Sequence, residues 1–299
     1  MAGRERSKTR FGSAARDAQR GSDMKNTPRL NIAILLLAGA LLTSCTTTGP
    51  MLPPVPVHPN GQVLWHIVHD QCVPDQREHG SPAPCAEVSL AAGEDHGFAV
   101  LKDRTGASQY LVMPTHRITG IEDPQILALG ATNYFAPAWA ARRLVEERLG
   151  TRLPREDASV AVNSIYGRSQ DLLHLHVDCL RVDVRDALRQ YGPRIGYKWS
   201  RRDTLTLAGQ PYHVIRIDGD DIAGLDPFRR LAEGMVVPRG QMRAWTLVLA
   251  GATFDGGRPG FFLAAGRADP ARGDNGSGED LQDHDCTGRG VSSAAKAAR

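Results

Sequence analysis

The chain has 299 residues, of which 41% are hydrophobic, enough to bury one substantial core. Its formal net charge of +3 is too mild to imply nucleic-acid binding and leaves only a slight preference for an anionic surface or substrate. No internal repeats are present, which excludes solenoid and propeller architectures.

Residues 1–23 are basic and rich in small residues, without periodic apolar patterning, and Met24 is a candidate true start. From Met24 the order changes. Lys25 and Arg29 give a positive region, Ile32 to Leu42 a short apolar run, and Leu42-Thr43-Ser44-Cys45 a small-residue cleavage site. The run is shorter than the ~20 apolar residues that span a bilayer. Residues 24–44 resemble a bacterial lipoprotein signal, with Cys45 lipidated at the start of the mature chain; an uncleaved anchor is the alternative. Either way the rest of the chain is expected in the cell envelope, membrane-anchored, with its folded part in the periplasm.

Residues 45–61 read as a Thr/Pro/Gly linker stiffened by Pro53, Pro54, Pro56 and Pro59. Val63 to Cys72 has helical spacing, with Leu64, Ile67 and Val68 on one side and His66 and His69 as surface residues. Phe98 to Lys102 and Gln109 to Met113 read as a hairpin across the Asp103-Arg-Thr-Gly106 turn. Asn133 caps an expected helix with a stripe of Phe135, Trp139, Leu144, Val145 and Leu149, stopped by Gly150. Ser159 to Asn163 is a strand, and Val182 to Leu188 begins a short helix. Further strands are expected at Tyr212 to Ile217, Trp245 to Ala250 and Phe261 to Ala264. Residues 267–280 and 287–299 are expected to be mobile. This irregular succession argues a single α+β domain built on an antiparallel sheet, not a βαβ array.

With Cys45 set aside, Cys72, Cys85, Cys179 and Cys286 form an even set for an oxidising compartment. They allow three connectivities, among which sequence alone does not choose. The expected pairing is Cys72–Cys85, closing a Pro-rich loop, and Cys179–Cys286, tying the tail to a strand. A Cys/His metal site is weakly supported, because no close Cys-x-x-Cys pair exists.

The stretch from Asn163 to Cys179 carries the chemistry. On a strand of period two, Leu172, His174, His176 and Asp178 share one face, while Leu173, Leu175 and Val177 share the other, apolar face. An imidazole can attack phosphorus to form a phosphoramidate that water later hydrolyses, and a second imidazole can bind the attacked oxygens. His174 and His176 are therefore the catalytic candidates. Asn163, Arg168, Ser169 and Gln170, in the preceding Gly-containing loop, are candidates for phosphate binding. The alternatives are a solvated sheet face and a zinc site. A zinc site would need Asp178 and a further ligand from His116, His213 or His284 on the same ion, which one strand does not easily supply. No metal and no cofactor is required.

Leu172-Leu-His-Leu-His-Val-Asp178 resembles the His-φ-His-φ-His-φ-φ signature of the histidine-triad superfamily, with Leu172 at the first histidine position. The resemblance implies a nucleophile at His174, a partner at His176, and phosphate contacts from Asn163 and Ser169. Where some members place a further active-site histidine, this chain has Arg117. Within that superfamily, Ser81-Pro-Ala-Pro-Cys-Ala-Glu-Val88, Gln109-Tyr-Leu-Val-Met-Pro-Thr115, Gly167-Arg-Ser-Gln170, Cys179-Leu-Arg181, Asp183-Val-Arg185 and Gln282-Asp-His-Asp-Cys286 are similar to bacterial CDP-diacylglycerol pyrophosphatases. The similarity covers residues 62–286. It implies a histidine-triad-like antiparallel sheet with packed helices, hydrolysis of CDP-diacylglycerol to CMP and phosphatidate, and a membrane setting. No nucleic acid or protein partner is implied. Arg181 and Arg185 are further candidates for anion contacts, and Trp65, Phe135 and Trp139 are expected mainly as packing residues. A hydrolase or transferase of another nucleotide diphosphate, a zinc phosphoesterase and a ligand-binding lipoprotein stay open as alternatives.

Overall fold

The computed structural model describes residues 52–238 and 240–288. Residues 1–23, the signal-like stretch 24–44, Cys45 and the tail beyond 288 lie outside the described residues.

The expected first helix runs as Val63–Ile67 (α1), a π-helical turn Val68–Cys72, and Val73–His79 (α2). Strands Glu87–Ser89 (β1), Phe98–Lys102 (β2) and Tyr110–Pro114 (β3) follow. The Asn133-capped helix is Phe135–Leu149 (α3), where Asn133 Oδ1 accepts from Phe135 N at 3.2 Å and Gly150 closes the last turn at φ 65°. Ala158–Val162 (β4) and Leu175–Leu180 (β5) precede helix Val182–Tyr191 (α4). The C-terminal half comprises Leu205–Leu207 (β6), Gln210–Asp218 (β7), Pro227–Gly234 (α5), Trp245–Phe254 (β8), Arg258–Arg267 (β9) and Gln282–Asp283 (β10). None of the described helices is long and apolar enough to cross a membrane.

All strands join one sheet in the order β1-β2-β3-β5-β4-β8-β9-β7-β6, with β10 also on β5, and every pairing is antiparallel. The α+β expectation therefore holds. Alternation decides which side chains meet. Val112, Val160, Leu175, Val177, Leu247 and Leu249 point to the face covered by α3 and α5, where they form the main core. The opposite face holds two smaller apolar clusters. One packs Leu111, Met113 and Leu172 under α1 and α2, and the other packs Ala161, Leu180 and Val248 with α4 residues. Between them, His176 lies opposite Leu111 on one neighbour and Ala161 on the other. A polar seam thus divides an otherwise apolar sheet face.

Both expected disulfides are present, Cys72–Cys85 across a separation of 13 residues and Cys179–Cys286 across 107. Chain-entropy arguments assign about 3 kcal/mol to a short loop and nearer 5 kcal/mol to one of about a hundred residues. Replacing Cys179 and Cys286 together by alanine is thus expected to lower the thermal midpoint more than replacing Cys72 and Cys85, as measured by calorimetry.

One expectation fails. Residues 267–280, expected as a loose segment, are tied to the domain: Ser164 N donates to Gly276 O at 2.9 Å, Ser164 Oγ donates to Asn275 O at 2.5 Å, and Gly278 is buried. Residues 271–273, 275 and 280 are exposed, while 276 and 278 are buried against the rest of the domain. Residues 52–61, expected as a spacer, also lie along that loop. Tyr166 Oη donates to Pro53 O at 2.8 Å, and His58 Nδ1 lies 2.8 Å from Asp171 Oδ1.

Candidate active site

β5 begins only at Leu175, so His174 stands on the approach to the strand and His176 inside the sheet. Leu173 N donates to Ile118 O at 2.7 Å, which pins the approach. The two histidines are buried, and their rings meet edge to face with centroids 4.8 Å apart. A solvated sheet face is excluded for this pair.

His174 Nδ1 lies 2.6 Å from Leu172 O. A carbonyl only accepts, so Nδ1 carries the proton and the lone pair sits on Nε2. Burial, reinforced by the neighbouring His176, pushes the imidazole down to about 3, against a weaker upward pull from the Leu172 carbonyl. His174 is therefore neutral near pH 7, with Nε2 available as a nucleophile or base.

His176 Nδ1 lies 3.0 Å from Glu279 Oε2. Gln109 Nε2 reaches the same carboxylate oxygen at 3.1 Å, and Asn163 Nδ2 donates to Glu279 Oε1 at 2.6 Å. Burial alone would push the Glu279 carboxyl up. The attraction of His176 and the three donated hydrogen bonds outweigh it and hold the group well below the usual carboxylate range. Glu279 thereby fixes the His176 ring and leaves Nε2 buried without a partner among the described residues. An unsatisfied buried nitrogen is costly, about 1–3 kcal/mol, and an incoming anionic oxygen would relieve it if Nε2 carries a proton.

Backbone geometry places Glu279. Asn163 Oδ1 accepts from Gly278 N at 2.8 Å and from Glu279 N at 3.4 Å, so one amide holds both the turn and the carboxylate. A Cβ on Gly278 would stand 2.7 Å from Thr246 Oγ1, so this close approach requires glycine. Gln282 Nε2 adds hydrogen bonds to Ser159 Oγ and His176 O, both at 3.1 Å.

The remaining candidates divide. Ser169 is exposed on the β4–β5 loop, within reach of solvent. Arg168 is buried in a bidentate pair with Glu122, at 2.6 and 2.7 Å, and also reaches Asp171 at 3.3 Å. It clamps the loop to residues 117–123. Gln170 spans Asn60 O and Leu64 N, at 3.0 and 3.1 Å, and caps α1. Arg181 pairs with Asp183, and Arg185 with Asp157 and Asp186. Arg117 pairs with Gln62 and lies over the Trp65 ring. Phe135 and Trp139 are core residues.

The metal-ligand candidates do not converge on the histidine pair. Asp178 is buried beside His284 Nδ1 at 2.9 Å, and it accepts from Ser108 Oγ at 3.3 Å and Cys179 N at 2.9 Å. His213 Nδ1 lies against Ser200 O. Among the described residues the one tight cluster of possible ligands is Asp178, Cys179 and Cys286, and its two sulfurs are joined to each other. A cleft of about 600 Å³ lies away from the histidine pair, lined by Arg185, Leu188, Phe254 and Phe262.

Glu279 is the residue that sequence reasoning missed. Its only local sign is an acidic residue after the Gly-Ser-Gly stretch, and nothing in that pattern points at a histidine 103 positions earlier.

Residues 59–289 match the family model described as CDP-diacylglycerol pyrophosphatase. The chain is also 40% identical over 227 residues to a protein of Yersinia pestis named CDP-diacylglycerol pyrophosphatase, an alignment covering 76% of this chain and 84% of the relative.

Proposed function

The chain belongs to the CDP-diacylglycerol pyrophosphatase family, a family of hydrolases, and from that premise we propose a metal-independent, two-step mechanism in which His174 is the nucleophile. The observation that carries it is the neutral imidazole whose Nδ1–H is committed to Leu172 O, leaving Nε2 free to attack.

In the first step Nε2 forms a bond to the phosphorus bearing the cytidine. The bond from that phosphorus to the bridging oxygen breaks, and phosphatidate leaves with that oxygen. The phosphorylated ring carries positive charge, and the Leu172 carbonyl stabilises it through Nδ1–H. The charge that develops on the non-bridging oxygens is met by His176, held in place by Glu279, and by Ser169 on the loop. In the second step water attacks the same phosphorus, the bond to Nε2 breaks, and CMP leaves. Asn163 and Gln109 act on the substrate indirectly, by holding Glu279. The buried seam, the histidine pair and the loop that precedes it support a histidine-triad-like relationship. The even cysteine pairing supports a location outside the cytoplasm, and the lipoprotein-like signal of residues 24–44 supports a membrane attachment at Cys45.

Hydrolysis in ¹⁸O-labelled water tests the direction of attack. Label in CMP alone is expected; label in phosphatidate means that the other phosphorus is attacked.

The pH dependence follows from His174. Its neutral form persists down to about pH 3, so the acidic limb of kcat/KM from this group is expected near there and not at the usual histidine range of 6–7. Stability should behave differently. Folded His174 binds its proton less readily than the unfolded chain, so its contribution is fully present above about pH 6.5 and shrinks as the pH falls from there towards 3. Glu279 adds a similar loss below its ordinary value of 4.5. The thermal midpoint is expected to fall between pH 7 and 5 while turnover at low temperature is kept.

A further inference from the structure

Two aliphatic side chains stand out into solvent on neighbouring loops: Leu129 is 101% exposed and Val236 is 67% exposed. Single exposed apolar residues are ordinary, but Val236 also adopts φ 51°, a left-handed conformation that a β-branched residue enters only under strain. Glycine or asparagine would suit that backbone better and would suit water better. The left-handed turn ends α5, since Val237 N donates to Ala232 O at 2.9 Å, but that turn does not call for an exposed valine.

Both loops are fastened to α5. Arg229 Nη2 donates to Leu127 O at 3.3 Å and to Ala128 O at 2.9 Å, beside Leu129. Val236 N and Val237 N donate back to Glu233 O and Ala232 O, at 3.2 and 2.9 Å. The same helix receives the segment 194–202, Arg-Ile-Gly-Tyr-Lys-Trp-Ser-Arg-Arg, which carries four cations and no acid. Trp199 Nε1 donates to Arg230 O at 2.8 Å, and Arg201 Nη2 donates to Met235 O at 2.9 Å, next to Val236. Tyr197, Lys198 and Arg202 of that segment are exposed.

Aliphatic tips beside the exposed cations Lys198 and Arg202 match the chemistry of a bilayer interface, while Tyr197 Oη is held by Asp218 Oδ2 at 2.9 Å. The tips enter the acyl boundary and the exposed cations meet anionic headgroups. α5 packs on the sheet face opposite the histidine pair, so the surface connects to the site through the loops at the strand ends. Val236 leads through residues 237–244 into β8, whose first residues flank the Asn163 end of β4. Ile165 N donates to Arg243 O at 2.8 Å, joining that stretch to the loop that precedes His174.

We propose that the Leu129 and Val236 loops, together with residues 194–202, dock on an anionic lipid bilayer and present its lipid to the histidine pair. The idea rests on the hydrolysis of a bilayer-resident diphosphate described above.

The test uses the full chain and two substrates, long-chain CDP-diacylglycerol in phosphatidylglycerol-containing vesicles and a dihexanoyl analogue free in solution. The double variant Leu129→Ser with Val236→Ser is expected to lose roughly 10-fold in vesicle turnover and to stay within about two-fold of wild type on the soluble analogue. Lys198→Glu with Arg202→Glu should show the same loss on anionic vesicles and little on phosphatidylcholine vesicles carrying the substrate. Val236→Gly relieves the backbone strain, so it should raise the thermal midpoint and still lower vesicle turnover. Vesicle turnover within two-fold of wild type in both double variants, or equal losses on both substrates, would overturn the docking surface. A wild type inactive on the soluble analogue and on vesicles alike would instead overturn the hydrolytic assignment.

Discussion

Replacing His174 with alanine is expected to lower kcat for CDP-diacylglycerol by roughly 10³-fold or more, with an unchanged circular dichroism spectrum. The nucleophile is lost outright, and no other imidazole can take its place. The nearest, His176, has Nδ1 engaged with Glu279 and lies one strand period further into the sheet. The folded state should tolerate the change, because the ring's single protein hydrogen bond goes to a backbone carbonyl and burial of a polar ring is itself unfavourable. Turnover within ten-fold of wild type would remove His174 from the chemistry and leave it a packing residue.

The second large effect belongs to Glu279. Alanine at this position removes the acceptor shared by His176 Nδ1, Asn163 Nδ2 and Gln109 Nε2, leaving His176 Nδ1 only Gln109 Nε2, 3.0 Å away, in a largely buried seam. Breaking a buried ionic network by removing one member costs about 3 kcal/mol, which for a domain of this size lowers the thermal midpoint by about 6–12 °C. Activity should fall by about 100-fold as well, because the His176 ring is released. Glu279→Gln separates the two effects. It preserves the shape and one acceptor oxygen, so it should recover part of the stability while kcat stays low and its pH profile moves. Full activity in Glu279→Gln would mean that the carboxylate is structural only.

The difference between these two residues shows where sequence reading succeeds. His174 and His176 announce themselves through local chemistry, two imidazoles at strand spacing beside a polar loop, and period-two alternation places them correctly. The long antiparallel strands and the Asn133-capped helix were legible for similar reasons, since each depends on patterning, whereas four cysteines left three pairings open until the structure chose among them. The short strands β1, β6 and β10 and helix α5 were not singled out. Three residues or fewer carry no periodicity, and Pro227–Gly234 combines eight residues with a charged exposed face. Glu279 and Gly278 were hidden because their role comes from tertiary contact with Asn163 and Thr246, in a Gly/Asp-rich segment whose composition suggests mobility. The polar loop misled in the opposite direction. Arg168 and Gln170 have the chemistry of anion contacts, yet both are committed to the protein itself, one clamping Glu122 and the other capping α1.

The covalent step is tested most directly by quenching a single turnover with alkali and mapping the adduct by peptide mass spectrometry. Alkali preserves a phosphoramidate and destroys acyl phosphates. The expected result is a cytidylyl group on His174 that forms and decays within one turnover in wild type and is absent from His174→Ala. Rapid turnover with no adduct, or an adduct on His176 in its place, would contradict His174 as the nucleophile.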